Sequence, residues 1–67
     1  MPEERFELGS YVAEILQTKL GGTSWYYAIQ TRTGEIVSME RFDTHDEARL
    51  AALATLERLN RAAAAGE

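Results

Sequence analysis

Apolar residues follow two different rhythms along this chain. Up to Phe42 they come in short runs rich in β-branched and aromatic types, and beyond Thr44 they recur at helical spacing. The first run, about Ser10 to Thr18, holds Tyr11, Val12, Ile15 and Leu16. The second, about Ser24 to Thr31, holds Trp25, Tyr26, Tyr27 and Ile29, types that fit a pleated surface. The third, about Glu35 to Phe42, holds Ile36, Val37 and Met39. Gly21-Gly22 and Thr33-Gly34 separate the runs, and glycine supplies the positive φ that tight hairpin turns need. Three strand-like runs with two short connections predict an antiparallel meander.

The helix start is the sharpest local signal. Thr44-His45-Asp46-Glu47 fits a capping box, in which the Thr44 hydroxyl accepts from the Glu47 backbone N–H and the Glu47 carboxylate reaches back. Asp46 and Glu47 also put negative charge where the helix dipole favours it. From His45 the run of Ala, Leu, Glu and Arg predicts a helix to about Ala63, with Gly66 as its stop. At 100° per residue, Ala48, Ala52, Leu56, Leu59 and Ala63 share one face, flanked by Leu53. Leu50 falls near the opposite side as a candidate second contact patch. Glu57 and Arg61 are spaced to pair along the helix.

The fold class expected is therefore α+β, a three-stranded antiparallel meander with one C-terminal helix on one face (βββα). The chain divides into an N-terminal segment over 1–9, the sheet over 10–42, the helix over 44–63 and a frayed tail over 64–67. Alternation predicts that Ala13, Ile15, Tyr27, Ile29, Val37, Met39 and Phe42 meet the helix. The other face then carries Val12, Leu16, Tyr26, Ala28 and Ile36, too apolar to be left comfortably in water. Either that face meets a partner, or the N-terminal segment with Phe6 and Leu8 folds over it.

Length and charge narrow the function. A chain of 67 residues buries only about 60 % of its unfolded surface, so its stability is thin. With no cysteine, neither disulfides nor a thiolate metal site can support it. Eleven acidic against seven basic residues give a net charge of -4, which counts against a nucleic-acid binder working by bulk attraction. No apolar run approaches the roughly 18 residues of a membrane span, and the acidic start, MPEERFELG, lacks signal-peptide character. A cytoplasmic setting without a membrane partner is the expectation.

Candidate chemistry is sparse. His45 is the one histidine, and with Asp43 and Asp46 it makes a third-ranked metal candidate whose spacing matches no zinc pattern. No Ser–His–Asp arrangement or glycine-rich phosphate loop can be built, and no cofactor is expected. The basic residues Lys19, Arg32, Arg41, Arg49, Arg58 and Arg61 are scattered.

Tyr11-Val12-Ala13-Glu14-Ile15 and Phe42-Asp43-Thr44-His45-Asp46-Glu47-Ala48 resemble a known design. Over about Tyr11 to Leu59 the chain is similar to the three-strand-plus-helix DNA-binding domain of plant ethylene-response factors. Phage integrase arm-binding domains share that outline. In these families a V-A-E-I strand is followed by F-D-T-x-E-E-A, which opens the helix behind the sheet. The resemblance implies the same fold, with DNA read by Arg and Trp on the uncovered sheet face. Here the outward positions are Glu14, Leu16, Tyr26 and Gln30. Glu14 stands where the plant domain uses a glutamate, but the surrounding arginines are missing, and with them the phosphate contacts.

The first expectation is thus a small acidic non-enzymatic protein-interaction module, a homodimer formed through the uncovered sheet face or a strand edge. Val12, Leu16, Tyr26 and Ile36 would form the contact, with Leu50 as a second patch. Size and acidity also fit a phage or bacterial inhibitor or accessory protein covering a basic surface. The alternative is a DNA-binding module of the integrase-arm type using Arg32, Arg41 and Tyr26.

Overall fold

A computed structural model describes residues 4–19 and 24–65. Four strands, β1 (Glu4–Leu8), β2 (Tyr11–Thr18), β3 (Ser24–Thr31) and β4 (Ile36–Phe42), precede one helix, α1 (His45–Ala65). The strands form a single antiparallel sheet in sequence order. The architecture is α+β as expected, but the sheet has four strands rather than three. The N-terminal segment does not fold over the sheet: it pairs along the edge of β2, Leu8 opposite Tyr11 and Glu4 opposite Ile15. The Gly21-Gly22 hairpin and the Gly66 stop lie outside the described residues.

The β1–β2 turn is tight because Gly9 adopts φ +61°. Helix residue Asn60 holds it from behind, its Nδ2 donating to the Leu8 carbonyl at 2.9 Å and to the Leu56 carbonyl at 3.0 Å. The β3–β4 turn closes with the Thr31 N–H donating to the Glu35 carbonyl at 2.8 Å and the Gly34 N–H to the Thr31 carbonyl at 2.9 Å. Gly34 takes φ +94° there.

The helix begins where the capping box places it. The Glu47 N–H donates to Thr44 Oγ1 at 3.2 Å, and that hydroxyl donates to Glu47 Oε1 at 3.0 Å. Ala48, Ala52, Thr55 and Leu56 are buried, following the i, i+4, i+7, i+8 spacing of a helix stripe. Leu59 packs against the core as expected, whereas Ala63 is exposed. The small Ala48 and Ala52, both at 0 % exposure, let the helix sit close over Ala13, Ile15, Tyr27 and Ile29. Burying side chains the size of Ile15, Ile29 and Leu56 contributes roughly 1.5–3 kcal/mol each.

Strand β4 departs from the alternation expected of it. Ile29 faces Ser38, but the next residue, Gln30, faces Ile36, so Val37 is an extra residue in a bulge. Ser38 and Glu40 therefore face the helix, and Met39, opposite Ala28, faces away. Val37 at 43 % and Met39 at 58 % exposure are surface residues, not core. The bulge has a physical reason in the buried Tyr27, whose hydroxyl donates to Glu40 Oε2 at 3.0 Å and lies 3.1 Å from Ser38 Oγ and 3.4 Å from Thr55 Oγ1. Val and Met at those inward positions would leave a buried phenol short of partners, which is costly. Phe42 does pack inward as expected, its ring stacked on Tyr27 at 5.8 Å between centroids.

Candidate functional site

The face of the sheet away from α1 is organised in cross-strand rows. One runs Glu7, Val12, Gln30, Ile36; the next Arg5, Glu14, Ala28, Met39; the third Leu16, Tyr26, Arg41. Residues directly opposite one another across antiparallel strands share a face and touch. All five residues expected on this face, Val12, Leu16, Tyr26, Ala28 and Ile36, have that register.

The face is divided in two. Towards β1 it is polar, with Arg5, Glu7, Glu14 and Gln30, and Gln30 Nε2 donates to Glu14 Oε1 at 3.4 Å. Val12 lies between Glu7 and Gln30 in its row and is only 3 % exposed, so it offers almost no contact area. Towards β4 the face is apolar. Leu16, Tyr26 and Ala28 are half-buried, while Ile36 at 56 % and Met39 at 58 % stand well out into solvent. An open depression of about 370 Å³ lined by Thr18, Tyr26, Met39 and Arg41 marks this half. Exposed Val37 in the bulge adjoins it.

Leu50, 66 % exposed, is on the helix, which covers the other face of the sheet. It belongs to a different surface and does not join this one. Strict alternation through Val37 would turn Met39 inward, and the bulge at Val37 instead puts it on this face.

The alternative nucleic-acid residues are only partly brought together. Tyr26 and Arg41 are direct cross-strand neighbours, and Arg41 donates to Ser24 Oγ at 3.1 Å. Arg32 lies beyond Thr31, roughly 20 Å along the chain direction of β3 from Tyr26. Its guanidinium donates twice to the Gly9 carbonyl, at 2.9 and 3.1 Å, and once to Glu7 Oε1 at 2.9 Å. Arg32 thereby fastens the β1–β2 turn to the β3–β4 turn.

His45 finds its main partner far away in sequence. Its Nε2 is 2.5 Å from Glu4 Oε1, while Asp46 Oδ1 is 3.7 Å from Nδ1. The imidazole meets Trp25 edge-on at 4.9 Å. Arg49 reaches the other Glu4 oxygen at 3.6 Å and lies over the Phe6 ring. These contacts tie β1 to the start of α1. No group of three or more His, Cys, Asp or Glu side chains placed to hold a metal occurs among the described residues. No described helix is long and apolar enough to cross a membrane.

No known protein family, curated protein or solved structure matches this chain.

Proposed function

We propose that this protein is a non-enzymatic protein-interaction module that associates with a second copy of itself through the β3–β4 half of the uncovered sheet face. The observation that carries this reading is the concentration of large apolar side chains there: Ile36, Met39 and Val37, each more than 40 % exposed, beside Tyr26 and Leu16. A patch of this kind rimmed by polar residues marks an interaction site more often than free surface. A second copy suits it because the half is nearly uncharged, with Arg41 as its one cation among the described residues, so two like-charged chains bring little repulsion into the contact. The thin stability of so short a domain also makes association with a copy an effective source of support.

Absolute molar mass across a concentration series, at low and high salt, tests the proposal. The expected result is a dimer that persists at high salt, because apolar contacts are not screened. Met39→Glu is expected to return the chain to a monomer while leaving its helical circular dichroism and melting cooperativity intact. A wild-type chain that stays monomeric at every concentration overturns the reading.

A further inference from the structure

The two edges of the sheet are built differently. On one side, β1 carries Glu4, Arg5 and Glu7 among its five residues, and its ends are tied to the helix through Glu4 and the Leu8 carbonyl. Charge and covering contacts are how natural sheets protect an edge from pairing. On the other side, β4 begins Ile-Val-Ser-Met and carries charge only further on, at Glu40 and Arg41; it holds neither lysine nor proline, and no strand lies beyond it among the described residues. Its outward peptide groups are a template for another strand.

Resting on the self-association read above, we propose that two copies pair β4 against β4 antiparallel, about a two-fold axis through Met39, making one continuous eight-stranded sheet. An antiparallel edge pairing of identical strands requires an axis perpendicular to the sheet. Both helices then lie on one side and both apolar half-faces join on the other. Residues set opposite each other must share a face, and β4 itself fixes the faces: Ile36 with bulged Val37 outward, Ser38 inward, Met39 outward, Glu40 inward, Arg41 outward.

Charge then selects among the axes that keep the strand paired along its length. An axis at Glu40 sets Glu40 on its own copy. An axis at Ser38 sets Glu40 opposite Glu35 of the other copy, twice. Like charges directly opposite are destabilising. The axis at Met39 avoids both: Met39 meets Met39, the Ser38 hydroxyl faces the Glu40 carboxylate, and the Arg41 stem covers Ile36 and Val37 of the other copy. Arg41 has no carboxylate partner within the described chain, so its charge is free to respond to what stands opposite.

Two sets of variants test the register. Opposite Arg41, Val37→Glu creates an attractive pair twice and Val37→Lys a repulsive pair twice, so the lysine variant is expected to dimerise roughly tenfold more weakly than the glutamate variant. The net charge of -4 on each chain favours the reverse order, so the expected order reports local opposition. The chain contains no cysteine, and residues directly opposite across antiparallel strands are within disulfide reach. Met39→Cys is therefore expected to cross-link to itself on mild oxidation, and Val37→Cys is not.

Leu16→Glu, on β2 away from the edge, is expected to weaken the dimer far less than Met39→Glu does. A dimeric wild type with equal cross-linking of both cysteine variants, or with the lysine variant the tighter, overturns the Met39 register while self-association stands. A dimer lost as readily in Leu16→Glu as in Met39→Glu shows face-to-face stacking and overturns the edge pairing. A monomeric wild type overturns both readings together.

Discussion

Replacing Tyr27 by phenylalanine removes one oxygen from the middle of the molecule and keeps the ring stacked on Phe42. That oxygen has three neighbours, at 3.0 Å on Glu40, 3.1 Å on Ser38 and 3.4 Å on Thr55. They do not suffer equally. Glu40 is exposed and Ser38 half-buried, so both regain water when the phenol goes. The bond to a charged acceptor therefore counts at its low end, about 1.5 kcal/mol. Thr55 is 6 % exposed, water does not reach it readily, and a buried hydroxyl left unpaired costs about 1–3 kcal/mol. Together these predict a loss of about 2.5–4.5 kcal/mol.

Urea denaturation at one fixed protein concentration reads this directly, since association with a copy adds to stability. With a slope near 1 kcal/mol/M for so small a chain, the midpoint falls by about 2 M or more. Adding Thr55→Val to Tyr27→Phe replaces the stranded hydroxyl by a methyl and is expected to recover about 1 kcal/mol, because removing both partners costs less than removing one. Tyr27→Phe within about 0.5 kcal/mol of wild type, a difference too small for a buried network, refutes the role of the hydroxyl. A double variant less stable than the single refutes the reasoning about Thr55.

Three further substitutions probe the supports of the sheet. Gly9→Ala adds a methyl 2.0 Å from Asn60 Oδ1 at a residue with φ +61°; the backbone penalty alone is about 1 kcal/mol, and a thermal melt is expected to show a loss of at least that size, eased when Asn60→Ala removes the clash. Thr44→Ala removes the cap that receives the Glu47 N–H and is expected to cost about 1 kcal/mol by the same melt. Arg32→Ala releases the two turns from each other, but its pair with Glu7 is half-exposed (55 % and 49 %), so the loss stays below about 1 kcal/mol; in a low-salt titration with duplex DNA neither form is expected to bind, and tight binding by the wild type that Arg32→Ala abolishes would revive the nucleic-acid alternative.

What could be read from the sequence was local. The capping box at Thr44 and Glu47, the glycine at position 34 and the apolar stripe through Ala48, Ala52 and Leu56 involve residues within a few positions of one another. The missed strand β1 is five residues of mostly charged sequence, and it becomes a strand only because β2 offers it a complete ladder of partners from Tyr11 to Ile15. Glu4 as the partner of His45 depends on that ladder, so nothing near either residue announces it. Alternation puts Val37 and Met39 inward only where β4 has no bulge, and Thr55, a polar residue outside the apolar stripe, carries no sequence signal of its burial. Both departures have one source: a buried tyrosine needs polar neighbours, and its neighbours came from two distant elements.

That source also joins the core to the surface. Tyr27 is buried at the centre of the sheet, and satisfying its hydroxyl requires Ser38 and Glu40 to face inward. In a strand that alternates, inward Ser38 and Glu40 force Met39 outward, and the bulge at Val37 turns Ile36 outward with it. The exposed apolar edge is therefore not a residue of imperfect packing but the geometric counterpart of a satisfied core. A sequence under pressure only to remain a soluble monomer could meet the same inward demand with polar residues at 36, 37 and 39, since those positions face solvent and the Tyr27 network does not use them. That large apolar side chains stand at all three, in the uncharged first half of an edge strand, is what turns a feature of the fold into a reason to look for a second copy there.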